Sequence, residues 1–283
     1  MKKFLSVLLV LLLAAGFVFA GGGAESKSQQ SQQSQQSHTI SVGGSTSVTP
    51  LMELFQAEYE KAHSNVKITI SGTGSGDGIT GTDNGTYEIG MSSRELTPAE
   101  IGKGLDPHVV AIDGIAVIIS NSSPVSGLTL AQIKDIYTGK TTRWEQLGAS
   151  ANGKSGGIAV ISREPGSGTR GAFQELLGFQ DGQLVSNAII FDGTGAIKSA
   201  VAGNADAIGY ISLGSVDNTA KAISVDGVAA TNENVKANTY KIARPFILIT
   251  KKGVTLNPST KAFLDWTMNE GQSIVQKSWI SIK

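Results

Sequence analysis

Three times along this chain a short apolar, strand-like run empties into a turn of glycine and small hydroxyl residues, and a helix-like pattern follows at once. Gly43-Gly44-Ser45-Thr46-Ser47 follows Thr39 to Val42, and Gly72-Thr73-Gly74-Ser75-Gly76 follows Val66 to Ile70. Gly166-Ser167-Gly168-Thr169 comes just after Ile158 to Ile161. Parallel strands need a crossover element between them, so this order predicts an α/β class with largely parallel sheets. It also places all three turns at the carboxyl ends of strands, where open α/β sheets hold their ligands.

The residue types in these turns suit one kind of ligand. A helix start carries unpaired N–H donors and a partial positive charge, glycine lets the backbone approach an oxygen closely, and serine and threonine donate without bulk. Arg163 and Arg170 bracket the third turn with planar guanidinium forks that match a tetrahedral oxyanion. A fourth strand-like segment, Glu88 to Arg94, ends on the polar pair Ser93-Arg94. Any one turn reads equally well as ordinary turn chemistry with a serine cap and solvated arginines. Three of them, with Ser93-Arg94, point to one shared oxyanion site.

The ends and the composition narrow the setting. Residues 1–20 read as a secretion signal, with Lys2 and Lys3 ahead of an apolar stretch from Phe4 to Phe19 and Val18-Phe19-Ala20 as the cleavage site. That stretch falls short of the roughly 20 residues a spanning helix needs. Residues 21–37, glycine and then serine and glutamine, read as a flexible low-complexity linker. The chain has no cysteine, which excludes disulfides, thiolate metal sites and a lipid-acceptor cysteine after the signal, and favours a soluble secreted, periplasmic product. Acidic and basic residues balance at 23 each, so bulk charge does not draw the chain to nucleic acid. Any bound anion is held by local donors. His38, His63 and His108 are scattered without metal-ligand spacing and are expected at the surface or in loops.

Two longer apolar runs organise the rest. Val109 to Ile119, broken at Asp113 and Gly114, reads as a strand carrying the chain from one lobe to another. Tyr240 to Thr250, interrupted by Arg244-Pro245, carries it back. The expected division is a first lobe of residues 38–113 with 244–283 and a second of 114–243. Helices are expected with apolar faces at Leu51, Leu54, Phe55, Tyr59 and Ala62, at Leu130, Ile133, Ile136 and Tyr137, and at Phe173, Leu176 and Leu177 before a stop at Gly178. A further one centres on Ile197 and Val201, and a last runs from about Pro258 to Gln276 with Phe263, Leu264 and Trp266 turned inward.

With these motifs in view the chain resembles the phosphate-binding proteins of phosphate ABC importers over residues 38–283. The likeness rests on Gly44-Ser45-Thr46-Ser47-Val48, Gly74-Ser75-Gly76, Ile89-Gly90-Met91-Ser92-Ser93-Arg94 and Arg163-Glu164-Pro165-Gly166-Ser167-Gly168-Thr169-Arg170. Leu128-Thr129-Leu130, Ile136-Tyr137-Thr138-Gly139 and Trp144-Glu145-Gln146-Leu147-Gly148 belong to the same pattern, the last as a packing element. The resemblance implies a two-lobed, type II periplasmic-binding fold with two crossover strands and phosphate held in the cleft. It implies ligand contacts from Ser45, Thr46, Ser47, Ser75 and Ser93, and from Arg163, Ser167, Gly168 and Thr169. Several members carry an aspartate where this chain has Ser93, and it accepts the ligand's proton. Arg94 is therefore expected as a substitute ligand or a buttress, and at least one of Asp77 and Glu164 as a carboxylate that faces or orients the ligand shell.

The expected function is an extracytoplasmic receptor, monomeric and without metal or other cofactor, that binds inorganic phosphate and delivers it to a membrane permease. The alternatives keep the fold and change the anion to sulfate, molybdate or tungstate, or invoke a phosphatase. No Ser–His pair, metal-ligand cluster or cysteine nucleophile in the sequence favours the enzyme.

Overall fold

The computed structural model describes residues 37–283, so the expected signal and nearly all of the expected linker lie outside the described residues. The chain begins as β1 (His38–Gly44), α1 (Thr49–Ala62), β2 (Val66–Gly72), α2 (Ser75–Asp83), β3 (Ile89–Ser92), α3 (Pro98–Gly102) and the long β4 (Leu105–Ser120). Its middle runs through β5 (Gly127–Leu128), α4 (Leu130–Tyr137), β6 (Ala159–Arg163), α5 (Gly168–Leu177), β7 (Ile189–Phe191), α6 (Gly193–Ala202) and β8 (Ala207–Ser212). It ends with β9 (Ala220–Ala222), β10 (Ser224–Val225), α7 (Asn232–Lys236), β11 (Ala243–Lys251), α8 (Pro258–Met268) and α9 (Gln272–Val275).

The main sheet follows the order β2-β1-β3-β11-β4-β8-β6-β7, with β9 also on β4. Each wing is parallel as expected: β1 with β2 and β3 on one side, β6 with β7 and β8 on the other. The centre is antiparallel, because β4 and β11 run in opposite directions between the wings. Leu105 to Gly114 of β4 pair with β11, and Ile115 to Ser120 pair with β8 and β9. The strand changes partners at the expected break, where Asp113 stands opposite Arg244 and Gly114 opposite Ala243. The return strand is shorter than expected. Tyr240 to Ile242 precede β11, and Ile242 reaches the crossing only by accepting the Ile115 N–H at 2.7 Å.

Separate cores stabilise the wings. On the β1 side, α1 and α8 bury Leu51, Phe55, Tyr59 and Phe263 against Ile40, Met91 and Phe246. On the β6 side, Phe173 stacks on Tyr210 with ring centroids 4.0 Å apart, and Tyr137 and Trp144 close the cluster. Such aromatic pairs add about 0.5–1.5 kcal/mol beyond area burial. The buried Trp144 and Leu147 bear out the packing role of their segment.

Four local expectations need correction. Leu54, Ala62 and Leu176 are exposed, because the buried stripe of α1 passes through Leu51, Met52, Phe55 and Tyr59 and that of α5 through Phe173 and Leu177. The C-terminal helix is two helices, broken where Asn269 leaves helical dihedrals (φ −121°, ψ −95°). His38 and His108 are half-buried on strands, where they bond Thr260 at 3.1 Å and Thr250 at 2.9 Å; His63 caps the end of α1. Finally, the second glycine-rich turn is mostly helix, α2 starting at Ser75 itself. Its glycines serve close packing: a β-carbon on Gly78 would lie 2.8 Å from the Gly43 carbonyl oxygen and 2.9 Å from Gly44 Cα.

Candidate anion-binding site

The strand ends bring the three junctions together, and β3 supplies the fourth group. Ser45 Oγ, at the end of β1, donates to Ser93 Oγ at 2.9 Å. Ser75 Oγ, at the start of α2, lies 3.3 Å from the same oxygen and accepts the Ser93 N–H at 3.1 Å. Ser47 Oγ meets Thr169 Oγ1 at 2.8 Å across the gap between the wings. The Gly76 N–H also spans that gap, donating to the Gly166 carbonyl at 3.0 Å. Ser45, Ser47, Ser75, Ser93, Ser167 and Thr169 are all buried. Ser167 caps α5 by accepting the Arg170 N–H at 3.3 Å, which leaves its hydroxyl proton free to be donated elsewhere.

Gly168 explains why glycine is needed at this helix start. A β-carbon there would sit well inside van der Waals contact with Ser75 Oγ and 2.9 Å from Ser93 Oγ. The first residue of α5 thus touches the hydroxyls of the opposite wing.

Arg163 supplies the charge. It is only 1 % exposed, and its Nε and Nη2 donate to the Glu164 carboxylate at 2.7 and 2.6 Å. Nη2 also donates to Thr46 Oγ1 at 3.0 Å. Nη1 is buried and has no partner among the described residues. Behind it, Tyr210 Oη accepts the Arg163 N–H at 3.3 Å and bonds Ser162 Oγ at 2.8 Å, and burial pushes this phenol's pKa up. It therefore stays a neutral anchor for the end of β6. Glu164 completes the frame by accepting the Gly193 N–H at 3.3 Å. Of the two acidic candidates, it is the one bonded to Arg163. Asp77 is exposed in the first turn of α2.

The other two arginines of the motifs, Arg94 and Arg170, are committed elsewhere. Arg94 gives Nη1 and Nη2 to Glu100 at 2.9 and 2.8 Å and bonds the Glu95 carbonyl at 2.7 Å, so its fork is not joined to the hydroxyl cluster. This bond is the main cause that brings the Glu100 carboxyl down to about 2. Arg170 braces the third junction from behind, bonding the Arg163 carbonyl at 2.8 Å and Asp181 at 2.9 Å. It supports the turn rather than joining the hydroxyl cluster.

Thr194 escaped the sequence reading. Its Oγ1 lies 3.2 Å from both Thr46 Oγ1 and Ser47 Oγ, and its N–H donates to Thr46 at 3.3 Å. The signal was present as Gly193-Thr194-Gly195 after β7, the same strand-to-helix junction a fourth time. Among the described residues, no group of three or more His, Asp or Glu side chains is placed to hold a metal ion.

Hydroxyls from both wings of a divided α/β sheet, gathered around one buried guanidinium beside two crossing strands, define a two-lobed solute-binding protein with an anion cradle. Residues 29–270 match the model of the PBP superfamily domain. A structure of a substrate-binding protein assigned to a phosphate ABC transporter of Clostridium perfringens, with bound phosphate, is similar at 47 % identity and a TM-score of 0.83, covering 87 % of this chain and all of that one. An ABC-type phosphate transport receptor from Vibrio cholerae is 32 % identical with a TM-score of 0.70, over 85 % of this chain and 99 % of that one. The phosphate-binding protein PstS of Borreliella burgdorferi is 30 % identical over 84 % of this chain and 88 % of its own length. The chain belongs to the PstS family of phosphate-binding proteins, within the PBP superfamily.

Proposed function

We propose that the protein is an extracytoplasmic receptor that binds inorganic phosphate between its lobes and delivers it to the permease of an ABC importer. Arg163 carries this reading. A guanidinium so deeply buried, with Nε and Nη2 fixed by Glu164 and Nη1 unpartnered among the described residues, is costly unless an anion completes it. The phosphate bound in the Clostridium perfringens relative supports phosphate as that anion. The ligand shell is Ser45, Thr46, Ser47, Ser75, Ser93, Arg163, Ser167, Gly168 and Thr169, with Thr194 added and Arg94 reduced to a buttress.

The lobes are 38–113 with 244–283, and 114–243. The change of β4 partners after Gly114 and the start of β11 at Ala243 support these limits. A ligand bonded to both lobes biases their closure, since each lobe supplies donors that the other cannot. The receptor works as a monomer, exported by residues 1–20, with no affinity for nucleic acid. It is a binder rather than a phosphatase: the cradle hydroxyls bond one another and Arg163 rather than a general base, so none is primed as a nucleophile.

Thermal unfolding of the mature protein with phosphate, sulfate, molybdate and tungstate tests this reading. Phosphate at 100 times its dissociation constant adds about 2.7 kcal/mol of apparent stability, and model phosphoesters are not hydrolysed. Stabilisation by molybdate with none by millimolar phosphate overturns the phosphate assignment.

A further inference from the structure

The break in β4 holds a buried ion pair that the phosphate cradle does not use directly. Asp113 and Arg244 face each other in the β4–β11 register, 1 % and 4 % exposed. Arg244 Nη2 and Nε donate to Asp113 Oδ2 at 3.1 and 3.4 Å. The other carboxylate oxygen belongs to the far wing, where Oδ1 accepts Ser212 Oγ at 2.8 Å and the Gly214 N–H at 3.4 Å. The third nitrogen of Arg244, Nη1, leaves the pair altogether and donates to the Ser93 carbonyl at 2.9 Å. One guanidinium therefore ties the crossing point of the lobes to the residue whose hydroxyl collects Ser45 and Ser75.

We propose that Arg244 is a positioning residue of the anion cradle: through the Ser93 carbonyl it fixes the Ser93 hydroxyl, and through Asp113 it registers that hydroxyl to the pivot between the lobes.

Both partners are fit for the task at neutral pH. Burial pushes the Asp113 carboxyl up to about 6 and the Arg244 guanidinium down to about 10, so near pH 7.5 each remains mainly ionised. Phe246 lies under the guanidinium at 5.4 Å, a cation–π contact that favours this placement. A lysine would keep the charge. It would lose the fork, because a single ammonium cannot reproduce planar donors aimed at a carboxylate on one side and a carbonyl on the other.

This inference rests on the phosphate reading, and a double-mutant cycle separates the two. Calorimetric phosphate titrations are made at pH 7.5 on the parent, Arg244→Lys, Ser93→Ala and the double variant, with melting of each ligand-free protein alongside. Arg244→Lys is expected to weaken phosphate binding about tenfold in a protein that still melts cooperatively. In the Ser93→Ala background the same change is expected to cost less than twofold, because the hydroxyl it positions is gone. Equal losses in both backgrounds overturn the proposal, as does unchanged affinity in Arg244→Lys. A parent that does not bind phosphate overturns the functional reading and this inference with it. If Arg244→Lys does not fold, the paired Asp113→Asn/Arg244→Gln, which removes both charges together, takes its place in the cycle with the same expectations.

Discussion

The two lobes contribute unequally to the cradle. The first brings neutral groups, namely the hydroxyls of Ser45, Thr46, Ser47, Ser75 and Ser93 from three strand ends. The second brings hydroxyls too, but it alone aims a charge, Arg163, and it frames that charge with Glu164. The first lobe has an arginine of its own beside the junctions, yet Arg94 spends both terminal nitrogens on Glu100. Arg163 differs by one nitrogen. Its carboxylate partner takes Nε and Nη2 and leaves Nη1 buried without a partner among the described residues, so proximity and charge alone do not set what an arginine has to offer an anion. What counts is whether the ion pair leaves a terminal nitrogen over.

Removing the charge of the second lobe should have the largest effect. Arg163→Met strips the cradle of its guanidinium and leaves Glu164 uncompensated against the anion, costing about 3 kcal/mol or more, roughly a hundredfold in the dissociation constant measured by calorimetry. Near-parental affinity would show that the hydroxyls suffice and the asymmetry is only geometric. Next is the contact between the lobes. Gly168→Val puts a branched side chain where even a β-carbon meets Ser75, and should weaken phosphate binding by about 2 kcal/mol, roughly thirtyfold. Since the clash lies between lobes, ligand-free melting should move far less; scattering that shows normal closure with phosphate would break this account.

A single neutral donor comes third. Ser47→Ala removes the hydroxyl shared with Thr169 and Thr194 and should cost about 1 kcal/mol, several-fold in affinity. The smallest effect on binding is expected from Arg94→Gln, less than twofold. Its signature is stability against pH. The folded Glu100 carboxyl titrates near 2, below its unfolded value near 4.5. The Arg94–Glu100 pair therefore contributes fully above pH 4.5, and its contribution fades as pH falls toward 2. The partly exposed pair is worth about 1–2 kcal/mol. Denaturant midpoints for parent and variant should differ at pH 7 and converge near pH 2. A tenfold loss of phosphate affinity in Arg94→Gln would restore this arginine as a ligand.

Much of the frame was legible because it depends on local chemistry. The recurring strand, glycine–hydroxyl turn and helix located three of the junctions, and the polar break at Asp113-Gly114 marked where β4 changes partners. Periodicity misplaced Leu54, Leu176 and the end of the C-terminal helix. A stripe two residues wide is compatible with more than one rotation, and only the opposing core selects among them.

By itself, then, the sequence determined the class of fold, the turns at the strand ends, and a set of glycine and hydroxyl donors with arginines beside them in a chain of balanced charge. Glycine, serine and threonine at helix starts have few other uses in that combination, and each turn is set by residues adjacent in the chain. Tertiary structure alone decided which arginine keeps a buried terminal nitrogen unpartnered among the described residues, that Thr194 joins the cradle, and that Arg244 reaches from the crossing strands to Ser93. Each depends on partners such as Thr46 and Thr194, or Ser93 and Arg244, that lie 148 and 151 residues apart. A guanidinium in sequence shows only its charge and its fork; where the fork points is settled by the carboxylates and carbonyls that folding brings beside it.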